Sequence, residues 1–226
     1  TEVALDVRSP SIAAMSEDGA RIAVTVRTRR GRLDVDHARY GDPTYVGPSL
    51  VTAMVIDTRS GDQVWLHEQP AQVRGFTWSS DGSRLAYLLV DRDTFSLRIF
   101  DVESGSTDTV TLGTSKLIAS SSPLVWAPDG DAILLTLRPD RWQTRASEAF
   151  FELTEAAVIV QDSRNEFLAW DRIRNIANEQ ITALVSLDTG QVQEILTDVV
   201  PQDVGFSPDA SRVTYTVASR TKTSYT

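Results

Sequence analysis

Short apolar stretches alternate with polar turns along most of the chain, and one arrangement recurs four times: an apolar strand, a turn built on Asp, then a second apolar strand. The copies span residues 13–24, 76–87, 124–135 and 205–215. Their turns carry Asp18-Gly19, Asp81-Gly82, Asp129-Gly130 and Asp209-Ala210. An Asp side chain in a turn accepts nearby backbone N–H groups, and the Gly beside it enters the left-handed region that a Cβ resists. Pro128 and Pro208 pre-set φ for two of the turns. Ala210 replaces the Gly in the fourth copy, which predicts a slightly strained turn there or one of another type. Three residues before each Asp stands a large apolar residue, Met15, Trp78, Trp126 or Phe206, expected to pack between neighbouring units.

A second pattern follows the first three turns. Residues 54–61, 97–105 and 184–190 each read as a strand running into an Asp and Gly turn, at Asp57, Asp101 and Asp188, and a further strand follows at 63–66, 107–112 and 191–196. Each unit therefore holds four antiparallel strands, which is the blade of a β-propeller. From first-turn to second-turn Asp the intervals are 39, 20 and 59 residues, whereas from second-turn Asp to the next unit they are 24, 28 and 21. The second interval is nearly constant and the first is elastic. The middle unit is thus the plain blade, and the other two carry insertions between their second and third strands. The fold class is all-β: a partial propeller of about three and a half blades with a short helical insertion in the third. The chain reads as one domain, 1–226, with blades at about 10–69, 73–112 and 120–197 and half a blade at about 201–217. Closed propellers use roughly four to eight blades. A fragment is therefore expected, completed by missing blades or by self-association through open blade edges.

The insertions hold the candidate binding chemistry. The first, about 27–49, is rich in Arg, Asp and turn formers and reads as a long surface loop, a binding loop at the ring mouth or a solvated one. Asp34, Asp36 and His37 have the spacing of hard-metal ligands, but among so many Arg they read as a salt-bridge cluster, and no metal is assigned. In the second insertion, about 139–180, Ala146, Ala149, Phe150 and Leu153 form one apolar helix face. Glu148, Glu152 and Glu155 line another, as a solvated row or as a trap for a substrate's ammonium group. A second short helix is expected at 169–177, where Arg172 and Arg174 are placed to bind carboxylates or to pair with Asp171 and Glu179.

Composition narrows the function. The formal net charge is −9, with 20 Arg and 2 Lys, which argues against a nucleic-acid surface. With no Cys and only His37 and His67, disulfides, thiolate chemistry and a three-histidine zinc site are excluded. No apolar run reaches the length of a membrane span. The nucleophile elbow G-x-S-x-G is absent; the nearest match, Gly113-Thr114-Ser115-Lys116-Leu117, lacks the final Gly. No catalytic residue and no cofactor are assigned.

The Ser-Pro-Asp-Gly type turn, followed by a strand ending in Asp and a Gly turn, resembles the repeat of TolB-type propellers and of the propeller domains in prolyl oligopeptidase-family serine peptidases. The long third-blade insertion, with Gln161-Asp162-Ser163-Arg164-Asn165 and Leu168-Ala169-Trp170-Asp171, is more similar to the peptidase family. The resemblance implies a non-catalytic propeller that gates peptide substrates for an α/β-hydrolase domain outside this sequence; the cytoplasm is the expected compartment, with the periplasm or secretion left open. The alternative it leaves is a TolB-like interaction propeller with no enzyme attached. Paired Glu on a propeller insertion bind the substrate's amino terminus in some dipeptidyl peptidases of that family, although the motif around them is not matched here.

Overall fold

A computed structural model describes residues 2–67, 69–155, 162, 164, 169–197, 199 and 201–217. A one-turn helix, α1 (Glu2–Leu5), precedes three four-stranded antiparallel meanders. The first sheet is β1 (Ser9–Met15), β2 (Arg21–Arg27), β3 (Val51–Asp57) and β4 (Gln63–Trp65). The second is β5 (Gln72–Trp78), β6 (Arg84–Asp91), β7 (Thr94–Asp101) and β8 (Thr107–Val110). The third is β9 (Val125–Trp126), β10 (Ala132–Leu137), β11 (Ile181–Ser186) and β12 (Val192–Leu196). A two-stranded sheet, β13 (Pro201–Phe206) with β14 (Val213–Val217), completes the described fold. Two helices, α2 (Trp142–Thr154) and α3 (Ala169–Ala177), hang between β10 and β11. The innermost strands stand side by side, β1 against β5 and β5 against β9. This is the blade arrangement of a partial, open β-propeller.

Side-chain alternation explains the stacking, because successive residues of a strand face opposite sides of its sheet. In β6, Leu85 and Tyr87 join Ala23, Ala53, Val55 and Leu66 of the first sheet, while Ala86 and Leu88 join Ile133, Leu135 and Leu137 of the third. The second blade is buried on both faces and binds its two neighbours. Two of the four apolar residues before the turns, Trp126 and Trp78, do the same at the inner edge. Trp126 is buried and its Nε1–H donates to the Thr77 carbonyl of the preceding blade at 3.1 Å. Trp78 is buried between the first two blades, whereas Met15, with no preceding blade among the described residues, is 63% exposed.

The first turns work as their residues dictate. Asp18, Asp81, Asp129 and Asp209 each accept the backbone N–H two residues on, at 3.0–3.2 Å. Gly19, Gly82 and Gly130 lie at φ between +66° and +79°, and Ala210 takes the same conformation at +55°, so the expected strain is real. Ser16, Ser79 and Ser207 add a hydroxyl bond to the Asp, which holds the Asp81 and Asp209 carboxyls at about 2. The Arg three residues after the Asp is a feature the turn reading passed over. Arg21 donates to Gly82 O at 3.1 Å and Arg84 to Gly130 O at 2.7 Å, each reaching the turn of the next blade. The third blade has Ala132 at this position and makes no such bond.

One register expectation is corrected. Gly61 and Gly105 close their turns by donating to the carbonyls of Asp57 and Asp101, but Gly190 donates to Ser186. Ser186, not Asp188, is therefore the equivalent position. Its hydroxyl accepts a hydrogen bond from Thr189 Oγ1 where the other turns use a carboxylate.

Candidate functional site

The connections between second and third strands all emerge at one end of the blades, and there the two insertions meet. Residues 28–50 are not a free loop. A short 3-10 turn, His37–Arg39, is capped by Asp36 Oδ1 accepting Ala38 N–H. Arg39 then bridges the buried Asp42 carboxylate (2.8 Å) and Asp93 in the β6–β7 turn (3.3 Å), and it stacks on Tyr45. Burial opposes the Arg39 charge, but its hydrogen bonds to Asp42 and Asp93 outweigh burial and hold its pKa above the ordinary value. Asp93 also accepts Val46 N–H, which straps the insertion across the second blade. On the far side, Thr44 Oγ1 lies 3.4 Å from Ser147 Oγ of α2. Gly41, at φ +86°, fits against Trp170 of α3 so closely that a Cβ there would stand 3.1 Å from the indole.

The expected salt-bridge cluster forms only in part. Arg30 pairs with Asp6 and Arg39 with Asp42 and Asp93, whereas Asp34, Asp36 and His37 have no ion-pair partner within 4.0 Å among the described residues.

The helical insertion is a small two-helix unit with its own core of Ala149, Phe150, Leu153 and Ile173. Its stem is fixed by Arg138, buried against the Trp142 ring and donating to the carbonyls of Ala177 (2.7 Å) and Glu179 (2.8 Å). Burial pulls the Arg138 pKa down to about 10, against a smaller opposing pull from Glu179. Trp142 Nε1–H donates to Ile176 O.

Between α2 and α3 lies a groove of about 360 Å³ lined by Arg145, Glu148, Glu152, Arg172, Asn175 and Glu179 over Ala149 and Ile176. Of the four residues singled out from sequence, Glu148, Glu152 and Arg172 come together here. Arg174 does not line the groove; it pairs with Asp171. Arg172 approaches Glu152 at 3.8 Å with both side chains largely exposed, so the pair is loose. Arg145 and Glu179 form a two-pronged ion pair, and the hydrogen bonds to Glu179 hold the Arg145 pKa up. Arg145 and Asn175 were not expected from sequence, because a groove between helices takes residues from both and neither sits in a run. Of the segments that carry the resemblance, Gln161, Ser163, Asn165 and Leu168 lie outside the described residues; Arg164 pairs with Asp162.

No protein-family model matches the chain, and no curated protein matches it either. Solved structures do. It is similar to the acylaminoacyl peptidase of Pyrococcus horikoshii at 11% identity and a TM-score of 0.53, over 96% of this chain and 29% of that one. It is similar to a prolyl endopeptidase at 13% identity and a TM-score of 0.52, over 93% and 26% of the two chains. TolB of Acinetobacter baumannii aligns at 14% identity and a TM-score of 0.46, over 74% and 32%. The chain thus spans about a quarter to a third of each of these three structures. What it shares with the two peptidases is the fold, and its class is the β-propeller. No helix among the described residues is long and apolar enough to cross a membrane.

Proposed function

We propose that this chain is the propeller domain of a prolyl oligopeptidase-family serine peptidase, and that it admits and positions peptides for an α/β-hydrolase domain. The observation that carries the reading is the convergence of both insertions on one end of the blades, over a scaffold shared with two peptidase structures. Long connections held rigidly at one end of a fold are where binding residues accumulate. The propeller itself supplies no nucleophile, base or cofactor. In this reading the groove between α2 and α3 receives the amino end of a peptide. Glu148 and Glu152 carry the negative charge, Arg172 modulates it, and Arg174 stays with Asp171. Further blades and the hydrolase domain are the partners, and the cytoplasm is the compartment in this reading.

The test is to probe a lysate of the source cells with an antibody to this chain and, in parallel, with a fluorophosphonate that labels active serine hydrolases. A band far above 24.9 kDa that takes the label supports the reading. An unlabelled band sinks it and leaves a TolB-like interaction propeller.

A further inference from the structure

The first blade has one face covered and one face open. Directly opposed residues of neighbouring strands share a face. The register strings two rows across the open one, Ile12–Val24–Met54–Trp65 and Met15–Ile22–Ile56–Gln63, apolar except for Gln63. The opposite face carries Ala23, Ala53 and Val55, packed against the second blade. On the open face Ile12 is 64%, Met15 63% and Trp65 52% exposed. A contiguous apolar face of this kind marks an interaction surface.

Its counterparts in the other blades are closed. Counting from the turn Asp, Met15, Ile22, Val24 and Ile56 hold the places of Trp78, Leu85, Tyr87 and Phe100 in the second blade. Those four are at most 9% exposed, and the first blade covers them. Trp126, Ile133 and Leu135 repeat the arrangement in the third blade, packed with Ala86 and Leu88 of the second. In both cases the covering surface has the same make-up. Slender or small residues stand beside an Arg that donates to the turn carbonyl opposite, as Arg21 does to Gly82 O and Arg84 to Gly130 O.

A covering surface of that make-up is also open in the chain. In β14, Thr214 and Thr216 hold the places of Ala23 and Thr25, and Arg212 that of Arg21. All three are exposed, and the Arg212 guanidinium has no acceptor among the described residues. On the first blade, the carbonyl in the matching place is Gly19 O. It accepts the Thr58 hydroxyl at 2.8 Å and keeps a second lone pair. One chain thus presents both halves of an interface that it already makes twice, and leaves both exposed.

We infer that a second copy of this chain joins them. The Arg212, Thr214 and Thr216 side of one copy covers Ile12, Met15 and Trp65 of the other, with Arg212 donating to Gly19 O, and the reverse contact completes the pair. Twice about three and a half blades is about seven, within the range of closed rings. A head-to-tail contact that closes at two copies gives a dimer and not a filament. Each copy thereby supplies blades to the other. The pairing rests on the repeated inter-blade contact and not on the peptidase reading.

The experiment is sedimentation velocity on the full chain, in a dilution series from about 0.1 mM downwards. A dimer should form and dissociate on dilution. Ile12→Asp with Met15→Asp, at side chains already exposed, should leave a monomer throughout the series. Arg212→Met should raise the dissociation constant about tenfold or more, since a hydrogen bond from a charged donor is lost at each contact. Once diluted to monomer the chain offers Arg212 no acceptor, so there the change costs the fold little. Phe151→Asp, which charges an exposed apolar residue on α2, should leave the dimer intact. Circular dichroism checks that each variant folds. A monomer at every concentration, assemblies that grow beyond two copies, a dimer that survives the Ile12 and Met15 changes, or one that Phe151→Asp dissolves equally well would each overturn the inference. None of these results touches the fluorophosphonate test, and an unlabelled parent protein leaves the pairing standing.

Discussion

The Arg84 bond between blades makes a quantitative prediction. The guanidinium donates to Gly130 O at 2.7 Å and lies 5.1 Å from the Trp126 ring centroid, so Arg84→Met removes two interactions while keeping the packed stem. A hydrogen bond from a charged donor contributes about 1.5–3 kcal/mol, and partial exposure here argues for the lower half. The stacked cation adds about 0.5–1 kcal/mol at such a site. The expected loss is about 2–3 kcal/mol, which for a domain of this size lowers the melting temperature by roughly 5–10 °C. Arg212→Met is the control. Arg212 holds the same place in the fourth copy, is exposed, and has no side-chain bond among the described residues, so its replacement should cost under about 0.5 kcal/mol. Thermal unfolding followed by circular dichroism, with urea titrations alongside, compares the two. If Arg84→Met and Arg212→Met melt together, the inter-blade bond carries no stability and the argument fails.

Four further outcomes follow from the geometry. Gly190→Ala should cost about 3 kcal/mol or more, because its φ is +68° and a Cβ would fall 1.9 Å from Thr111 O; Gly19→Ala, at a similar φ with open space around it, should cost only about 1 kcal/mol, and denaturant midpoints separate them. Ala210→Gly should stabilise by about 1 kcal/mol on the same scale, since it relieves a Cβ held at φ +55°. His67 is half-buried against Tyr87 with Nε2 out of solvent and unbonded, and burial first, then Arg98, lower its pKa. Its neutral form suits the folded state, so stability is full above the unfolded value of about 6.5 and falls as the pH drops below it; His67→Gln should flatten the urea midpoint between pH 8 and 5. Asp81, held at about 2 by Ser79 first and then Ser83, gives stability that is present above the ordinary carboxylate range and lost as the pH falls towards 2; Asp81→Asn should remove that part of the acid transition.

The blades were legible in sequence because one turn needs three things at fixed spacing: an Asp to take backbone N–H groups, a residue tolerant of positive φ, and a large apolar residue before them. The helices were legible because Ala146, Ala149, Phe150 and Leu153 keep helical spacing within an otherwise strand-like chain. Asp188 misled because the true turn position is Ser186, a hydroxyl doing a carboxylate's work two residues earlier. The short α1 carries no periodic signal. Glu148, Glu152 and Arg172 could be singled out on helix faces, but their joining with Arg145, Asn175 and Glu179 depends on how two helices cross, which spacing along one helix does not encode. The meeting of the insertions was equally hidden. Asp42, Thr44 and Gly41 are ordinary loop residues until Asp93, Ser147 and Trp170 arrive from other parts of the chain. The Arg after three of the four turns is visible in the sequence; only the structure gives Arg21 and Arg84 their partners in the next blade.

Leu137 and Ile181, the two residues between which the helical unit hangs, are direct cross-strand partners in the third sheet. The sheet closes its own ladder below that point, so the unit between them is a pendant that the blade does not require. Its length and sequence are free to drift, to be exchanged or to be deleted down to a tight turn while the propeller keeps its register. A lineage could therefore retune what this end recognises by swapping one cassette, and a protein engineer could graft a foreign peptide or a reporter at the same two residues.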